Sequence, residues 1–257
     1  MRQLLSVGRL YSGPDSSVLV VIWTEDSQIY KAEHSTLKIH EVNEDVLNTL
    51  NGTPIPKTHI QPPWTPDTTA VAETVLPQVH IKTQQGLWRY DGSASIADAV
   101  REEVRILETI SRSPHPNLCH YYGCIQEGDR IAGIGLQKYK CTLFEAMSGN
   151  EESQSSTLDV ASVAAGIQAG LDHLHSLGLA HNDINPHNIM LDDSGNPVIV
   201  DFDSCASIGA TTSAGTPGWS KWPAASDPEN DTHGFNLVIK FLRGEYNGEL
   251  DDDAMGW

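Results

Sequence analysis

The chain has 257 residues, of which 39% are hydrophobic, enough apolar material for one large or two small packed lobes. Thirty-four acidic residues against sixteen Lys and Arg give a net charge of −18, which repels a phosphate backbone and argues against a nucleic-acid partner. No apolar stretch reaches the ~20 residues of a membrane span, and the N-terminus does not resemble a signal peptide. The four cysteines form no disulfide pattern, so the sequence predicts an intracellular protein, cytoplasmic or nuclear.

The first fifty residues are predicted to form an appended β/α element. A β-branched run over residues 17–23 and a short apolar stretch over 28–30 predict a pair of strands. Residues 43–50 predict a short helix, with Asn43 as its N-cap. Five prolines between residues 54 and 66 predict an extended, poorly packed linker over 51–74.

The remaining chain predicts a small sheet followed by a mostly helical region. Residues 79–82 predict a strand that ends at Lys82, and apolar side chains spaced three and four apart predict a helix over 97–112. Further strands are expected at 119–125 and 131–136, a hairpin at 189–200, and helices at 160–174 and 231–242.

Two motifs in this region carry the chemistry. Residues 181–188 read His-Asn-Asp-Ile-Asn-Pro-His-Asn, and residues 201–203 read Asp-Phe-Asp after the predicted hairpin. They resemble the protein-kinase catalytic loop H-R-D-x-x-x-x-N and the metal-binding D-F-G, each with one substitution. The resemblance extends to the V-A-I-K strand, helix C and the end of the activation segment, at residues 79–82, 103–107 and 215–219 respectively.

The resemblance to protein kinases implies a two-lobed α+β fold. The kinase-like domain would span residues 75–257, with a β-rich N-lobe at 75–137, a hinge at 138–140 and a mostly helical C-lobe at 141–257. A kinase C-lobe continues for several helices beyond the one predicted at 231–242, so the C-lobe is expected to be abbreviated.

The same resemblance assigns roles to individual residues. Asp183 would orient the acceptor hydroxyl, while Asn188 and Asp201 would hold Mg²⁺ on the phosphates of ATP. Lys82 would contact the α and β phosphates and serve catalysis, and Glu103 would pair with it. The implied cofactors are therefore ATP and Mg²⁺, and the implied partner is a protein substrate.

Several assignments rest on position along the predicted elements. Glu102 competes with Glu103 for Lys82, but adjacent helical residues point about 100° apart, and the E-x-x-I-L pattern favours Glu103. The hinge residues Lys138 and Tyr139 would bind adenine through their backbone groups. Asp231 is expected to cap its helix and to brace the catalytic loop.

Four departures from the family pattern bear on activity. Asn182 stands in place of the Arg that engages a phosphorylated activation loop, and Asn185 replaces the Lys that steadies the γ-phosphate. Asp203 replaces a glycine and adds charge near the metal site. No glycine occurs between residues 61 and 79, where a Gly-rich phosphate loop would precede Lys82.

Three functions are consistent with these motifs. The first is an ATP- and Mg²⁺-dependent Ser/Thr protein kinase, and the second is a pseudokinase that serves as a nucleotide-binding or scaffolding module. The third is a small-molecule phosphotransferase of the aminoglycoside-kinase kind, which shares the H-x-D-x-x-x-x-N loop. The Gly-Thr-Pro-Gly-Trp segment at 215–219 argues against the third, because it resembles a protein-kinase substrate loop.

Overall fold

A computed structural model describes residues 1–13, 16–84, 86–148, 158–211, 215–220 and 225–246 of the chain. The helices are α1 Glu44–Thr49, α2 Lys57–Ile60, α3 Ser95–Ser111, α4 Leu143–Met147, α5 Val160–Ser176 and α6 Pro228–Leu242. The longer strands are β1 Gln3–Gly13, β2 Ser16–Glu25, β3 Gln28–His34, β6 Tyr121–Glu127 and β7 Arg130–Gln137. The shorter strands are β4 Thr53–Ile55, β5 Val79–Lys82, β8 Cys141–Thr142, β9 Leu179–Ala180, β10 Ile189–Leu191, β11 Pro197–Ile199 and β12 Ala206–Ser207.

The first four strands form an antiparallel N-terminal sheet in the order β1-β2-β3-β4. The predicted strand pair and the helix capped by Asn43 are confirmed, and the Asn43 side chain accepts a hydrogen bond from the main-chain N–H of Val46. Strand β1 was not predicted. As an edge strand it leaves Leu4 and Leu5 about 40% exposed, so its sequence lacks the apolar run that marks the buried strand β2.

Strand β2 is buried on both faces of the N-terminal sheet, and its alternate side chains enter two separate apolar clusters. The outer cluster, on the α1 side, consists of Leu19, Val21, Trp23, Ala32, Leu47 and Leu50. The inner cluster consists of Val20, Ile22, Ile55, Ile60, Leu87 and Tyr90. Because Leu87 and Tyr90 follow β5, the inner cluster joins the sheet to the rest of the molecule.

The prediction that residues 51–74 pack poorly is wrong. This segment contains β4 and α2, and Ile55 and Ile60 are each only 1% exposed. Its next part runs beside β6, where the Val71 N–H donates to the Cys124 carbonyl across 3.0 Å. Prolines remove their own N–H groups, but they leave the neighbouring donors and apolar side chains free to pack.

A three-stranded sheet in the order β5-β7-β6, packed against α3, forms the small lobe. Strand β5 lies at its edge, and no strand in the described ranges pairs with its other side. The preceding chain cannot cover this edge because it lies along β6 instead. Gly123 permits that approach: its φ is +122°, and a Cβ there would lie 2.7 Å from the Thr69 carbonyl oxygen.

Helices α4, α5 and α6 and the short strands β8 to β12 form a mostly helical large lobe, and the predicted two-lobed α+β architecture is confirmed. The loop that carries Asp183 connects β9 to β10, and Asp201 follows β11. Within the described ranges, no helix has the length and apolar character needed to cross a membrane.

Helix α6 lies directly against the loop that carries Asp183. A Cβ at Gly234 would lie 2.4 Å from the carbonyl oxygen of Ile184, and that backbone cannot move aside cheaply. We therefore expect Gly234→Ala to lower the free energy of unfolding by about 1–3 kcal/mol, as overpacking does elsewhere. Urea denaturation measures the loss, and Ala169→Gly on the exposed side of α5 serves as a control for helix propensity. Unchanged stability would mean that α6 does not pack this closely.

Candidate active site

Lys82, Glu103 and Asp201 form an ion-paired triad between the two lobes. Lys82 Nζ lies 2.7 Å from Glu103 Oε1 and 2.6 Å from Asp201 Oδ1. Strand β5 supplies the lysine and α3 supplies the glutamate. The aspartate lies two residues after the end of β11. Glu102 points elsewhere and pairs with Arg105 on the surface. The triad therefore ties three distant parts of the sequence to one ammonium group.

The charges of the triad shift one another's pKa values. Burial alone would lower the pKa of Lys82, but the carboxylates of Glu103 and then Asp201 hold it well above its ordinary value. Burial raises the pKa of Glu103, and the Lys82 ammonium offsets only part of that rise. Burial also pushes the pKa of Asp201 upward, but Lys82 outweighs it and keeps it below its ordinary value.

Both carboxylate oxygens of Asp183 accept hydrogen bonds. The Thr216 N–H donates to Oδ1 at 2.7 Å, and the Thr216 hydroxyl donates to Oδ2 at 3.0 Å. Asn188 Nδ2 also donates to Oδ2 at 3.0 Å and to the Asp183 carbonyl oxygen at 2.9 Å. Asn185 Nδ2 contacts the Thr216 hydroxyl at 3.3 Å. The loop of Asp183 and the segment of Thr216 are therefore held together around one carboxylate.

The buried carboxylate of Asp231 holds the start of this loop. It accepts hydrogen bonds from the N–H groups of His181 at 2.9 Å and Asn182 at 2.7 Å. His175 Nε2 lies 2.8 Å from the same carboxylate. The prediction that Asp231 caps α6 is wrong, because the cap is Asp227, whose side chain accepts from the Glu229 N–H. Asp231 lies one turn further on and points at the loop.

Asn182 is buried and has a φ of +66°, which is unusual for a residue other than glycine. Its side-chain amide donates to the carbonyl oxygens of Ala180 and Ser204 and to the Ser226 hydroxyl, and it accepts from Asn230. These bonds offset the backbone strain. The buried Asn182 side chain is thus engaged by four polar partners at the position where many kinases have an Arg.

Asp201 is the second strained residue, with a φ of +63°. Phe202 beside it is 1% exposed and packs on His181, with ring centroids 5.4 Å apart. The pKa of Asp203 is raised by partial desolvation and next by the Asp201 carboxylate. Asp203 lines the same cavity of about 240 Å³ as Lys82 and Glu103. Arg89 also lines this cavity, so two cations and two carboxylates face it.

These motifs lie within a region that matches a known protein family. The sequence pattern of the protein kinase domain matches residues 80–225, more than half of the chain. The chain belongs to the protein kinase family. The match begins within β5 and ends before α6, so the N-terminal sheet lies outside it.

Curated relatives support the same family. The serine/threonine-protein kinase/endoribonuclease IRE1 of Hypocrea jecorina is 33% identical over 48% of this chain and 11% of its own length. The serine/threonine-protein kinase Tao of Drosophila melanogaster is 27% identical over 61% of this chain and 14% of its length. Human IRE2, also a serine/threonine-protein kinase/endoribonuclease, is 33% identical over 49% of this chain and 14% of its own length. The chain thus matches only about a seventh or less of each relative's length.

At the predicted hinge, residues 138–140, two side chains contact other parts of the small lobe. Lys138 Nζ donates to the Pro77 carbonyl oxygen at 3.3 Å, and the Tyr139 hydroxyl accepts from the His120 N–H at 3.1 Å. Tyr139 also lines a cavity of about 480 Å³ that Lys82 does not line. Only backbone groups of the hinge are therefore available to a nucleotide.

Sequence reasoning did not identify the partners of Asn182. Ser226 and Asn230 bind its side chain from more than forty residues away, and Ser204 from about twenty. No local pattern marks Ser226 or Ser204 as special, because each contributes one hydrogen-bonding atom through a tertiary contact. The kinase motifs themselves are local, so they are visible in the sequence.

Proposed function

We propose that this chain is an ATP- and Mg²⁺-dependent protein kinase that transfers the γ-phosphoryl group to a Ser or Thr hydroxyl of a protein substrate. The observation that carries the proposal is a pair of contacts, Asn188 with Asp183 and Lys82 with Asp201, which the hydrogen bond from the Val200 N–H to the Asn188 carbonyl oxygen brings close together. Asp183 and Lys82 are the proposed catalytic residues. The names of the curated relatives and the contact between Thr216 and Asp183 favour Ser/Thr over other acceptors.

The oxygen atoms near Asp201 fit a magnesium ion. Lys82 pairs with Asp201 Oδ1, the Asp203 N–H also donates to the Asp201 carboxylate, and within the described ranges Asn188 Oδ1 accepts no hydrogen bond. Oxygen ligands of this kind are the ones that Mg²⁺ prefers. Three carboxylates, those of Glu103, Asp201 and Asp203, surround a single ammonium, so the local charge also favours a divalent cation. When bound, Mg²⁺ would neutralise charge on the phosphate oxygens.

The nucleotide would lie between the hinge and Lys82. The backbone N–H and C=O groups of Lys138 and Tyr139 make no hydrogen bond to any described residue, so they are available to adenine. At the other end, Lys82 carries the positive charge for the α and β phosphates, and Glu103 holds its side chain in place. This division of roles assigns base recognition to backbone groups and phosphate recognition to one buried cation.

Asp183 can still receive an acceptor hydroxyl. A carboxylate offers about four lone-pair positions, two on each oxygen. Among the described residues, Oδ2 accepts from Asn188 and Thr216, whereas Oδ1 accepts only from the Thr216 N–H. One position on Oδ1 therefore remains for the hydroxyl of a substrate. Asp183 would orient this hydroxyl and take its proton as the phosphoryl group is transferred.

The alternative is a pseudokinase that binds nucleotide or partners without transfer. Two observations favour it. No strand in the described part of the chain covers the edge of β5, and Asn185 offers a neutral amide where a cation would stabilise the transferring phosphoryl group. Both would weaken transfer more than binding. Saturable nucleotide binding without transfer is the property that distinguishes this alternative.

Labelled ATP separates the two functions. We expect the full chain with Mg²⁺ to label a generic protein substrate or itself, and we expect Asp183→Asn and Asp201→Asn to reduce labelling by about 100-fold or more. Removing Mg²⁺ with a chelator should reduce it as strongly.

A matched pair on α3 controls this experiment. Glu103→Gln removes the partner of Lys82 and should weaken labelling, whereas Glu102→Gln changes an exposed neighbour and should not. Labelling that survives Asp183→Asn would come from a contaminating enzyme and would contradict the proposal. If Mg²⁺-dependent ATP binding is measured by calorimetry without any labelling, the pseudokinase is the better description.

The proposal includes three further predictions made from the sequence. The kinase domain would begin at residue 75, with residues 1–50 and 51–74 as the appended element and its connection. The protein would act on proteins and not on nucleic acid, in keeping with the net charge of −18. An intracellular location, cytoplasmic or nuclear, is supported by four cysteines that are all free thiols.

A further inference from the structure

Helix α3 depends on contacts outside itself for its position. It carries Glu103, and its N-cap residue, Ala94, makes no side-chain capping bond. Ser95, the first residue of α3, instead donates hydrogen bonds to Ser93 and Asp91 in the preceding loop. The position of α3, and of Glu103 at 2.7 Å from Lys82, therefore depends on how this loop is held.

The inner cluster provides an apolar contact at this end of the helix. Leu87 and Tyr90, in the loop that leads into α3, are 6% and 8% exposed among side chains of β2, β4 and α2. Ile96, in the first turn of α3, packs on the same cluster. Burial of these side chains removes the loop from water and joins it to the N-terminal sheet.

Polar contacts fix the loop at Tyr90. Lys31 Nζ, on β3, donates to the Tyr90 carbonyl oxygen at 2.8 Å. The Tyr90 hydroxyl lies 2.7 Å from His59 Nδ1, on α2. Two elements of the N-terminal sheet region thus hold the backbone and the side chain of one residue, five positions before α3 begins.

Trp88 packs on the backbone of β1. A Cβ built at Gly8 would lie 2.2 Å from the Trp88 ring, so the indole occupies the space that any side chain there would need. The Arg89 guanidinium covers the other part of the ring at 4.9 Å from its centroid. Trp88 therefore contacts both the backbone of β1 and the Arg89 guanidinium.

A separate contact holds the second half of α3. The Thr69 N–H and hydroxyl donate to the two oxygens of Glu108 at 2.7 and 2.9 Å. Glu108 follows Glu103 by five residues on the same helix, and the Tyr121 hydroxyl also donates to it. The chain before β5 consequently contacts α3 on both sides of Glu103.

We infer that the N-terminal sheet positions α3, and with it Glu103, through Trp88 and Tyr90. The sheet would act as a built-in support that keeps the Lys82–Glu103 ion pair closed without a partner protein. Trp88 and Tyr90 are positioning residues in this view, since neither touches Lys82 or Glu103. The use of that ion pair in nucleotide binding rests on the proposed function, but the support of α3 does not.

Hydrogen exchange of the nucleotide-free full chain tests the inference. In Trp88→Ala, loss of the packed indole should raise the exchange rates of the α3 amides by about tenfold through local opening. The rate at which acetic anhydride modifies Lys82, read by mass spectrometry, should rise with them as the ion pair loosens. Trp88→Phe, which keeps a ring on Gly8, should restore most of the protection.

Leu47→Ala is the matched control. Leu47 is buried in the outer cluster of the same sheet. Its replacement by Ala should lower the stability by a comparable amount without changing the contacts of the loop that leads into α3. If Leu47→Ala and Trp88→Ala accelerate α3 exchange equally, or if neither does, the inference is wrong. If Trp88→Ala fails to fold, Lys31→Met decides alone. It leaves the Trp88 indole in place but removes the bond to the Tyr90 carbonyl, the contact with the Tyr90 ring and the surface ion pair with Glu33, and it must still accelerate exchange in α3.

A nucleotide measurement keeps this result separate from the proposed function. If the chain binds MgATP, Trp88→Ala should weaken binding several-fold, whereas Leu47→Ala should not. If the unmodified chain binds no nucleotide, the proposed function fails, and the exchange and acetylation rates still decide whether the sheet positions α3.

Discussion

Lys82→Met is expected to lower the free energy of unfolding by about 3 kcal/mol near neutral pH, because it leaves a buried carboxylate without its cation. Glu103 is 6% exposed, and Lys82 Nζ is its only ion-pair partner among the described residues. Methionine fills a similar volume, so the loss comes from the charge and not from a cavity. Nucleotide binding should be lost in the same variant, since Lys82 is the proposed phosphate contact.

The loss of stability in Lys82→Met should depend on pH with a defined sign. Burial already raises the pKa of Glu103 above its ordinary value of 4.5, and removal of the Lys82 ammonium raises it further. The folded variant therefore binds a proton more tightly than its unfolded chain does. Its stability is fullest below the unfolded pKa and falls as pH rises through the folded pKa. The free energy of unfolding of the variant should therefore be closest to that of the original protein at acidic pH.

Urea denaturation between about pH 5 and about pH 8 measures this dependence. In Lys82→Met/Glu103→Gln the titrating carboxyl is gone, so most of the slope with pH should disappear. The slope that remains would belong to Asp201 and Asp203. A single variant that loses the same free energy at both ends of the range would show that Glu103 does not depend on Lys82 for its charge.

Asp231→Ala is expected to lower the free energy of unfolding by about 3–5 kcal/mol and to abolish phosphoryl transfer. The substitution removes a buried charge and leaves the hydrogen-bond donors around it without an acceptor. The side chain is fully buried and serves the N–H groups of His181 and Asn182. Without it, two backbone donors next to Asp183 lose their acceptor. Asp231→Asn should recover part of the loss, because one amide oxygen can replace only one of the two acceptors.

Asp227→Ala is the matched control on the same helix. Asp227 caps α6 by accepting from the Glu229 N–H, and loss of a cap of this kind costs about 1 kcal/mol. Hydrogen exchange should show the loop at residues 181–188 opening in Asp231→Ala but not in Asp227→Ala. Equal effects of the two substitutions on the loop would mean that Asp231 acts only through the stability of α6.

The helices and strands of the kinase domain were largely predictable because their signals are local. Strand β5 was predicted with its observed bounds, and α3 and α5 were predicted within about two residues at their N-terminal ends. Apolar side chains at helical spacing mark one face of each helix, and that face is buried in the structure. Helix geometry allows only one of Glu102 and Glu103 to face Lys82, and the resemblance to helix C of kinases favoured Glu103. Glu103 is the residue that contacts Lys82.

The N-terminal region was predicted less well because its packing depends on distant residues. Strand β1 contains Gly8, whose purpose is clear only once Trp88 is seen to lie on it. The proline-containing segment was expected to be loose, yet Ile55 and Ile60 are buried against Leu87. Neither contact has a periodic signature, since each joins residues separated by tens of positions.

By itself, the sequence determined the family, because catalytic and metal-binding side chains must follow one another at fixed spacings in a loop and a hairpin. Only the tertiary structure showed that no described strand takes the place of the missing glycine loop at the edge of β5. Only the structure, too, showed the N-terminal sheet against the loop that leads into α3. The physical reason is that motif spacing is set along the backbone, whereas burial and ion pairing depend on which surfaces meet in space.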